Sequence, residues 1–130
     1  MTASHARPDV LVCALALSVF VACDSSQPKP AVGRGSIPSE VQAGEAKFNA
    51  NCSVCHGPRG TGTQQGPPLV HKIYEPNHHG DAAFQRAAAV GVKAHHWEFG
   101  NMPKIDTVSA ADVEEIIRYI RWEQRQAGIF

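Results

Sequence analysis

Residues 52–56 read CSVCH, and this stretch decides more about the fold than any other part of the 130-residue chain. It places two thiols three positions apart and an imidazole directly after the second thiol. A structural zinc site needs two further ligands at a comparable spacing, but the other two cysteines, Cys13 and Cys23, lie in an apolar N-terminal region. A thioredoxin-type redox pair needs a βαβ setting, which the surrounding sequence lacks. The pattern therefore favours a different use of the two thiols.

The spacing of the pentapeptide is that of a c-type haem attachment site. Two intervening residues let the sulfurs of Cys52 and Cys55 reach the two vinyl groups on one edge of a porphyrin. The adjacent His56 then presents its imidazole to the iron from one face. The sequence predicts one covalently bound haem c, with Cys52, Cys55 and His56 as cofactor-binding residues and His56 as a metal ligand.

From residue 39 to residue 130 the chain resembles a class I monohaem cytochrome c. The resemblance implies an all-α fold in which three main helices and long loops wrap one haem, and a first helix crosses the last. In that family a glycine and an aromatic residue of the first helix pack against an aliphatic and an aromatic residue of the last. The matching positions here are Gly44 and Phe48 in the first helix and Ile116 and Tyr119 in the last.

Local signals place the helices independently of that resemblance. Ser39 with Gln42 and Ser109 with Asp112 have the form of capping boxes, and Asp81 has the form of an N-cap. Apolar residues follow the i, i+3, i+4, i+7 pattern after Ser109. The predicted helices are one that follows the Ser39 cap and runs to about Asn51, one from Ala82 to Val90 and one from Ala110 to about Gln126. The intervening segments are predicted to be loops, and one as long as residues 57–80 indicates a functional role.

Met102 is the predicted second iron ligand. The chain has two methionines, and Met102 stands before Pro103, between the second and third predicted helices, as the family's axial methionine does. A thioether favours reduced iron and raises the reduction potential, whereas a second imidazole lowers it. A core methionine that fills a gap is the alternative for Met102. The alternatives for the ligand itself are the histidines His71, His78, His79, His95 and His96, of which the last two are nearest to Met102.

Residues 66–69 read GPPL and resemble the family's Gly-Pro-x-Leu segment. By that match the carbonyl of Pro67 accepts a hydrogen bond from Nδ1–H of His56, and Leu69 packs on the histidine side of the porphyrin. The histidine pairs 78–79 and 95–96 have three interpretations that the sequence leaves open. They are partly exposed loop residues, or partners of a haem propionate together with Trp97, or ligands of a second metal such as copper or zinc.

The N-terminal region predicts export. Residues 10–22 form an apolar run that is too short to span a bilayer but has the length of a signal-peptide core. Cys23 ends this run in a context that resembles a bacterial lipobox, and residues 24–38 are rich in proline, serine and glycine. We expect a signal and lipobox region at 1–23, a flexible linker at 24–38 and a cytochrome c domain at 39–130. The location would be the periplasm or the outer face of the cytoplasmic membrane, with a possible tether through lipidated Cys23. Cleavage near Ala22 without lipidation and an uncleaved anchor are the alternatives.

Composition and ligation narrow the functional classes. The chain has 12 basic and 12 acidic residues, so it lacks the basic surface typical of nucleic-acid binding. With both axial positions filled by side chains, the iron has no open site for a substrate. We therefore expect a single-electron carrier rather than an enzyme, a monomer that docks transiently with redox partner proteins at the haem edge. The alternatives are a haem subunit of a dehydrogenase or reductase complex, and a haem sensor or peroxidase-like enzyme if Met102 leaves the iron.

Overall fold

The computed structural model describes Met1 and residues 36–130. The signal and lipobox region, with Cys13 and Cys23, lies outside the described residues apart from Met1, and so does residue range 24–35 of the expected linker. No helix within residues 36–130 combines the length and the apolar content that crossing a membrane requires.

Four α-helices form the described part of the chain, which contains no β-strand. They are α1 (Ser39–Asn51), α2 (Ser53–His56), α3 (Asp81–Val90) and α4 (Ala110–Gln126). Two short 3-10 turns, Pro58–Gly60 and Lys72–Tyr74, interrupt the long loop between α2 and α3. The prediction of an all-α fold with three main helices is confirmed. The sequence analysis did not predict α2, a single turn that contains the CSVCH motif from its second residue onward.

Helix α4 begins where the sequence predicts, because Ser109 and Asp112 form a full capping box. The amide of Asp112 donates to Oγ of Ser109 at 3.2 Å, and the amide of Ser109 donates to Oδ2 of Asp112 at 2.9 Å. The expected box at α1 was wrong. Pro38 occupies the N-cap, so Ser39 is already the first helical residue and makes no capping hydrogen bond. Nε2 of the Gln42 side chain donates instead to the carbonyl of Ile37 at 3.2 Å.

The expected N-cap of α3 was wrong in a similar way. Gly80 is the N-cap, and Asp81 is the first residue of the helix with no side-chain capping bond. The carboxylate of Asp81 accepts a hydrogen bond from Arg121 of α4 at 2.9 Å. A partner forty residues away has therefore displaced the local one, and the pairing fastens α3 to α4.

Helices α1 and α4 cross at Gly44, as the family resemblance implied. A methyl group built on Gly44 would overlap the backbone carbonyl of Glu115 and would lie 3.0 Å from Cβ of Tyr119. Beside this contact the rings of Phe48 and Tyr119 pack with their centroids 5.7 Å apart, and both side chains are fully buried. The close approach of the backbones is possible because Gly44 has no side chain. The buried core around the crossing comprises Val41, Phe48, Leu69, Ile116, Tyr119, Ile120 and Trp122.

The C-terminal half of α4 turns polar side chains inward and binds the loop between α2 and α3. Buried Arg121 donates to the carbonyls of Tyr74 and His79 at 2.7 and 2.6 Å, in addition to its bond to Asp81. Its guanidinium also lies 4.8 Å from the centroid of the Phe84 ring. Because each donor finds an acceptor, the cost of burying the charge is offset.

Two neighbouring residues of α4 extend this attachment. Buried Gln124 donates to the carbonyls of Leu69 and Tyr74 at 2.8 and 2.9 Å. Glu123, also fully buried, accepts a hydrogen bond from Nε of Arg59 at 2.7 Å. The loop thus follows a fixed path over α4 with little secondary structure of its own, and that path builds one wall of the cavity described next.

Candidate functional site

A cavity of about 490 Å3 opens between α3, the N-terminal half of α4 and the loops that join the helices. Its volume falls in the range of about 300–1,000 Å3 that is usual for cofactor pockets. Most of its lining is apolar, with Leu69, Phe84 and Ile116 among the larger side chains. Five of the six predicted site residues line it: Cys52, His56, Pro67, Leu69 and Met102.

His56, the last residue of α2, is buried in the cavity wall. Its Nδ1 lies 2.8 Å from the carbonyl oxygen of Pro67, the contact that the GPPL segment implied. A carbonyl can only accept, so Nδ1 carries the proton and Nε2 keeps its lone pair. Burial lowers the pKa of His56, partly opposed by the Pro67 carbonyl. The imidazole is therefore neutral near pH 7, which is the form that binds metals.

The two cysteines of the motif lie at α2 and form no disulfide with each other. Cys52 is the N-cap of α2 and lines the cavity, and its burial raises the thiol pKa to about 11, with the neighbouring Cys55 as the second cause. Cys55 is partly buried but is not among the lining residues. Its carbonyl accepts a hydrogen bond from Oγ1 of Thr63 at 2.6 Å. The loop after α2 therefore folds back against the motif.

Glycines make that return possible. Gly57 and Gly62 both have positive φ, at 72° and 84°, and a side chain on Gly57 would overlap the backbone of Gly62. The amide of Gly62 donates to the carbonyl of His56 at 2.6 Å, which closes the turn. These contacts form a tight turn directly after His56.

Met102 lines the cavity, and a short antiparallel bridge to Val92 holds its backbone there. The two residues exchange backbone hydrogen bonds of 2.9 and 3.0 Å. Gly91, at φ 79°, allows this approach, because a Cβ there would come within 2.5 Å of the Met102 carbonyl. The amide of Ile105 adds a bond to the carbonyl of Ala88 in α3 at 2.8 Å. The segment around Met102 is thus attached at two points to the end of α3.

Two aromatic residues place polar groups in the wall. The indole N–H of Trp97 is buried, and the nearby Tyr74 hydroxyl is the polar group that interacts with it. Burial raises the pKa of the Tyr74 hydroxyl, and the nearby Trp97 indole partly offsets that effect. Tyr74 and Trp97 therefore supply a polar pair in a mostly apolar wall.

The remaining histidines divide into two groups. His71 packs edge-on against Trp97, with ring centroids 5.1 Å apart, and does not line the cavity. The other four converge at the rim of the cavity, which three of them line: His79, His95 and His96. Partial desolvation lowers the pKa of His96, and the neighbouring imidazoles add to this shift.

The wall formed by α3 was missed in the sequence analysis. Ala83, Phe84 and Ala87 line the cavity from this helix. The signal was available, since small residues recur at helical spacing around Phe84 and leave room for a bulky ligand. Tyr74 was missed as well, and nothing in its local sequence distinguishes it from a surface loop residue.

The geometry agrees with what comparison of the sequence finds. The protein-family model described as cytochrome c matches residues 41–124, about two thirds of the chain. No curated protein and no solved structure gives a significant match. The chain belongs to the cytochrome c family. Its cofactor is accordingly haem c, an iron porphyrin held by covalent bonds, and the general role of the family is electron transfer.

The residues present fit this cofactor. The cavity wall offers a thiol from Cys52, the free Nε2 of buried His56 and the thioether of Met102. The apolar remainder suits a porphyrin ring, and the Tyr74 and Trp97 side chains add polar groups to the wall. This donor set includes both kinds of axial ligand used by cytochromes c.

Proposed function

We propose that the chain is a single-electron carrier in which His56 and Met102 bind the iron of haem c and the thiols of Cys52 and Cys55 form its thioether bonds. The observation that carries the proposal is that Cys52, His56 and Met102 line one cavity, although Met102 lies 46 residues after His56 in the sequence. Haem c supplies an iron ion that gains and loses one electron.

His56 would bind the iron through Nε2. Its Nδ1–H donates to Pro67, which sets the plane of the ring and makes Nε2 a better electron donor. The short helix α2 sets the spacing of this imidazole from Cys52 and Cys55. One helical turn therefore holds the three groups that act on the same cofactor.

Met102 acts as the second ligand and sets the direction of the reduction potential. A neutral, polarizable thioether favours the ferrous state, so this ligand raises the potential relative to a second imidazole. The bridge to Val92 holds the backbone of Met102 in place in the cavity wall. If His56 and Met102 both bind the iron, they would leave it no open position for a substrate, and this supports a carrier rather than an enzyme.

The apolar wall limits water near the iron. Leu69 and Ile116 belong to the main core as well as to the cavity lining, so they are held by packing on both sides. A rigid, dry wall changes little when the charge of the iron changes. Electron exchange then requires only small rearrangement of the surroundings, as a carrier needs.

We further propose that the protein works as an exported monomer that docks transiently with redox partners at the haem edge. The balance of 12 basic and 12 acidic residues supports weak docking with little long-range electrostatic steering. The apolar run that ends at Cys23 supports export, with lipidation of Cys23 as a tether to the membrane surface.

Covalent attachment is the first test. The protein is matured in a bacterial periplasm with the haem-attachment machinery and extracted with acidified acetone. We expect the colour to stay with the polypeptide. The double variant Cys52→Ala/Cys55→Ala should release its haem to the solvent, and Val54→Ala, an exposed change between the two cysteines, should behave as the parent. Colour extracted from the parent would contradict the proposal.

Ligation and location need separate tests. Magnetic circular dichroism of the oxidised protein should show a methionine–histidine pair, and a bis-histidine signature would contradict the role of Met102. Cells given radioactive palmitate should label the parent but not Cys23→Ser. Unlabelled parent protein in the soluble periplasmic fraction would contradict the tether and leave the carrier proposal intact.

A further inference from the structure

Four imidazoles form a cluster at the rim of the haem cavity. They come from two loops that are distant in sequence, one between α2 and α3 and one between α3 and α4. The ring centroids of His95 and His96 are 4.3 Å apart, those of His78 and His79 are 4.7 Å apart, and His96 lies 5.1 Å from both His78 and His79. In His78, His79 and His96, one ring nitrogen from each residue lies within 4.8 Å of the other two.

We propose that His78, His79 and His96 bind a divalent transition-metal ion that prefers imidazole ligands, such as Zn2+ or Cu2+. This is a second metal site, separate from the iron ligands His56 and Met102. Neutral imidazole is a preferred ligand of both ions, and three imidazoles with an open fourth position are an established donor set for Zn2+.

One of the three ligands is already oriented for the task. Nδ1–H of His79 donates to the carbonyl of Ile73 at 2.6 Å, so Nε2 carries the free lone pair. Metal-binding histidines usually donate their second ring N–H to a carboxylate, a backbone carbonyl or a water, and Ile73 supplies such a carbonyl here. Nearby His95 makes the same kind of bond to the carbonyl of Lys93 at 2.8 Å.

The backbone holds both halves of the cluster in place by contacts of its own. The amides of His78 and His79 both donate to the carbonyl of Glu75, at 3.0 and 2.8 Å. On the opposite loop, the amide of Ala94 donates to Oδ1 of Asn101 at 3.0 Å. The histidines therefore converge because two independently fixed loops meet.

The ring nitrogens of the three histidines need to move only slightly closer together to bind one ion. Ring nitrogens bound to a tetrahedral Zn2+ at about 2.0–2.1 Å lie about 3.3 Å from one another. The present separations are up to 4.8 Å. His78 and His96 are exposed, so rotations of their side chains can bring the nitrogens inward without disturbing the core. Within residues 36–130, none of the four imidazoles has a carboxylate partner in an ion pair that would compete.

A metal ion at this position would link two walls of the haem cavity. His79 belongs to the loop that Arg121 holds against α4, and His96 precedes Met102 by six residues. Binding would cross-link the two loops in the folded state alone. The ion would thereby stabilise the loop that carries the proposed methionine ligand.

Calorimetric titration of the haem-loaded protein with Zn2+ tests the proposal, with Cu2+ as a second ion and Mg2+ as a negative control. We expect one ion per chain with micromolar or tighter affinity for Zn2+ and Cu2+, and no binding of Mg2+. Zn2+ in about hundredfold excess over its dissociation constant should raise Tm by about 5 °C or more. X-ray absorption at the zinc edge should show imidazole nitrogens at about 2.0–2.1 Å.

Single variants decide whether the named residues form the site. His78→Ala and His96→Ala change exposed side chains and should each weaken Zn2+ binding at least tenfold, with an unchanged visible spectrum showing that the protein is folded. His71→Gln, a histidine outside the cluster, should bind as the parent does. Equal affinity in the parent and both cluster variants would overturn the proposal, as would the absence of one-to-one binding. A bis-histidine haem spectrum in which His78, His79 or His96 is the second iron ligand would also overturn the proposal of a second metal site. Evidence that Met102 does not bind the iron would not by itself overturn it.

Discussion

Val92 and Met102 exchange two backbone hydrogen bonds, with N–O distances of 2.9 and 3.0 Å. The bonds join the second residue after α3 to the residue proposed as the sulfur ligand. Positive φ at Gly91 brings the two backbones together, and the bond from Ile105 to Ala88 secures the far side of the segment. The position of Met102 is thus fixed by its main chain.

Removing the Val92 donor should loosen the methionine ligand. Val92→Pro eliminates the N–H that bonds the Met102 carbonyl and leaves that carbonyl unpaired, at a cost of about 1–3 kcal/mol. Imidazole added to the oxidised protein should then displace the methionine from the iron, and it should bind the variant about tenfold or more tightly than it binds the parent. Val92→Ala keeps the N–H and should match the parent in a spectroscopic titration. Equal affinities in both variants would show that the bridge does not hold the ligand.

Met102 itself should set the potential and close the site. Met102→Ala removes the thioether, so the reduction potential should fall and cyanide and peroxide should gain access to the iron. Met102→His should also lower the potential but keep the site closed to both. Redox titration and cyanide binding separate the two variants. If Met102→Ala had the potential and cyanide affinity of the parent, the methionine would not be an iron ligand.

The helix crossing should be intolerant of a single methyl group. Gly44→Ala places a Cβ against the carbonyl of Glu115, so α1 and α4 must separate at the centre of the core. We expect the free energy of unfolding to fall by about 3 kcal/mol in denaturant titrations. Ala43→Ser lies on the exposed face of the same helix and should change stability by about 0.5 kcal/mol or less. A stable Gly44→Ala protein would mean that the crossing can shift without loss.

Buried Arg121 should contribute far more to stability than a surface arginine of the same helix. Arg121→Gln leaves the carbonyls of Tyr74 and His79 without a charged donor and should lower the free energy of unfolding by about 3 kcal/mol. Arg118→Gln removes an exposed pair with Glu114 and should cost about 0.5 kcal/mol or less. Similar losses in the two variants would refute the attachment role of Arg121.

Acid should unfold the protein partly through Asp112. Lys47, at 2.8 Å, and the Ser109 hydroxyl hold the pKa of Asp112 below its ordinary value of 3.8. The unfolded chain therefore takes up this proton first, so the stabilisation is complete above about pH 5 and is lost as the pH falls further. Asp112→Asn should flatten the decline in stability between about pH 5 and pH 2. Asp106→Asn, at an exposed pair with Lys104, serves as the control and should keep the parent's slope.

Local signals in the sequence were sufficient to locate the three main helices, but not the single turn α2. The capping box at Ser109 and the apolar stripe that follows it depend on residues within one or two turns of each other. Their effect on the helix can therefore be predicted from the local sequence. The same reasoning failed at Asp81, because Arg121 takes its carboxylate, and at Ser39, because Pro38 fixes an extended conformation just before the helix.

Contacts between distant segments were beyond local reasoning. Arg121 stands in α4 among charged residues and gives no sign in the sequence that it is buried. The histidine pairs 78–79 and 95–96 were visible as pairs, but their convergence depends on two loops whose paths are set by Arg121 and by the bridge at Met102. Most of the contacts that shape the cavity are of this non-local kind.

The inward polar face of α4 also fixes the axial register of the helix. An aliphatic stripe repeats at every turn, so a displacement along the axis by one turn, about 5.4 Å, would still bury apolar groups. The same displacement would take Arg121 and Gln124 away from the carbonyls they bind. It would also move the Glu115 carbonyl away from Gly44, the position on α1 that has room for it. Since Val113 and Ile116 of this helix line the cavity, the register also determines the height at which a flat ligand can sit.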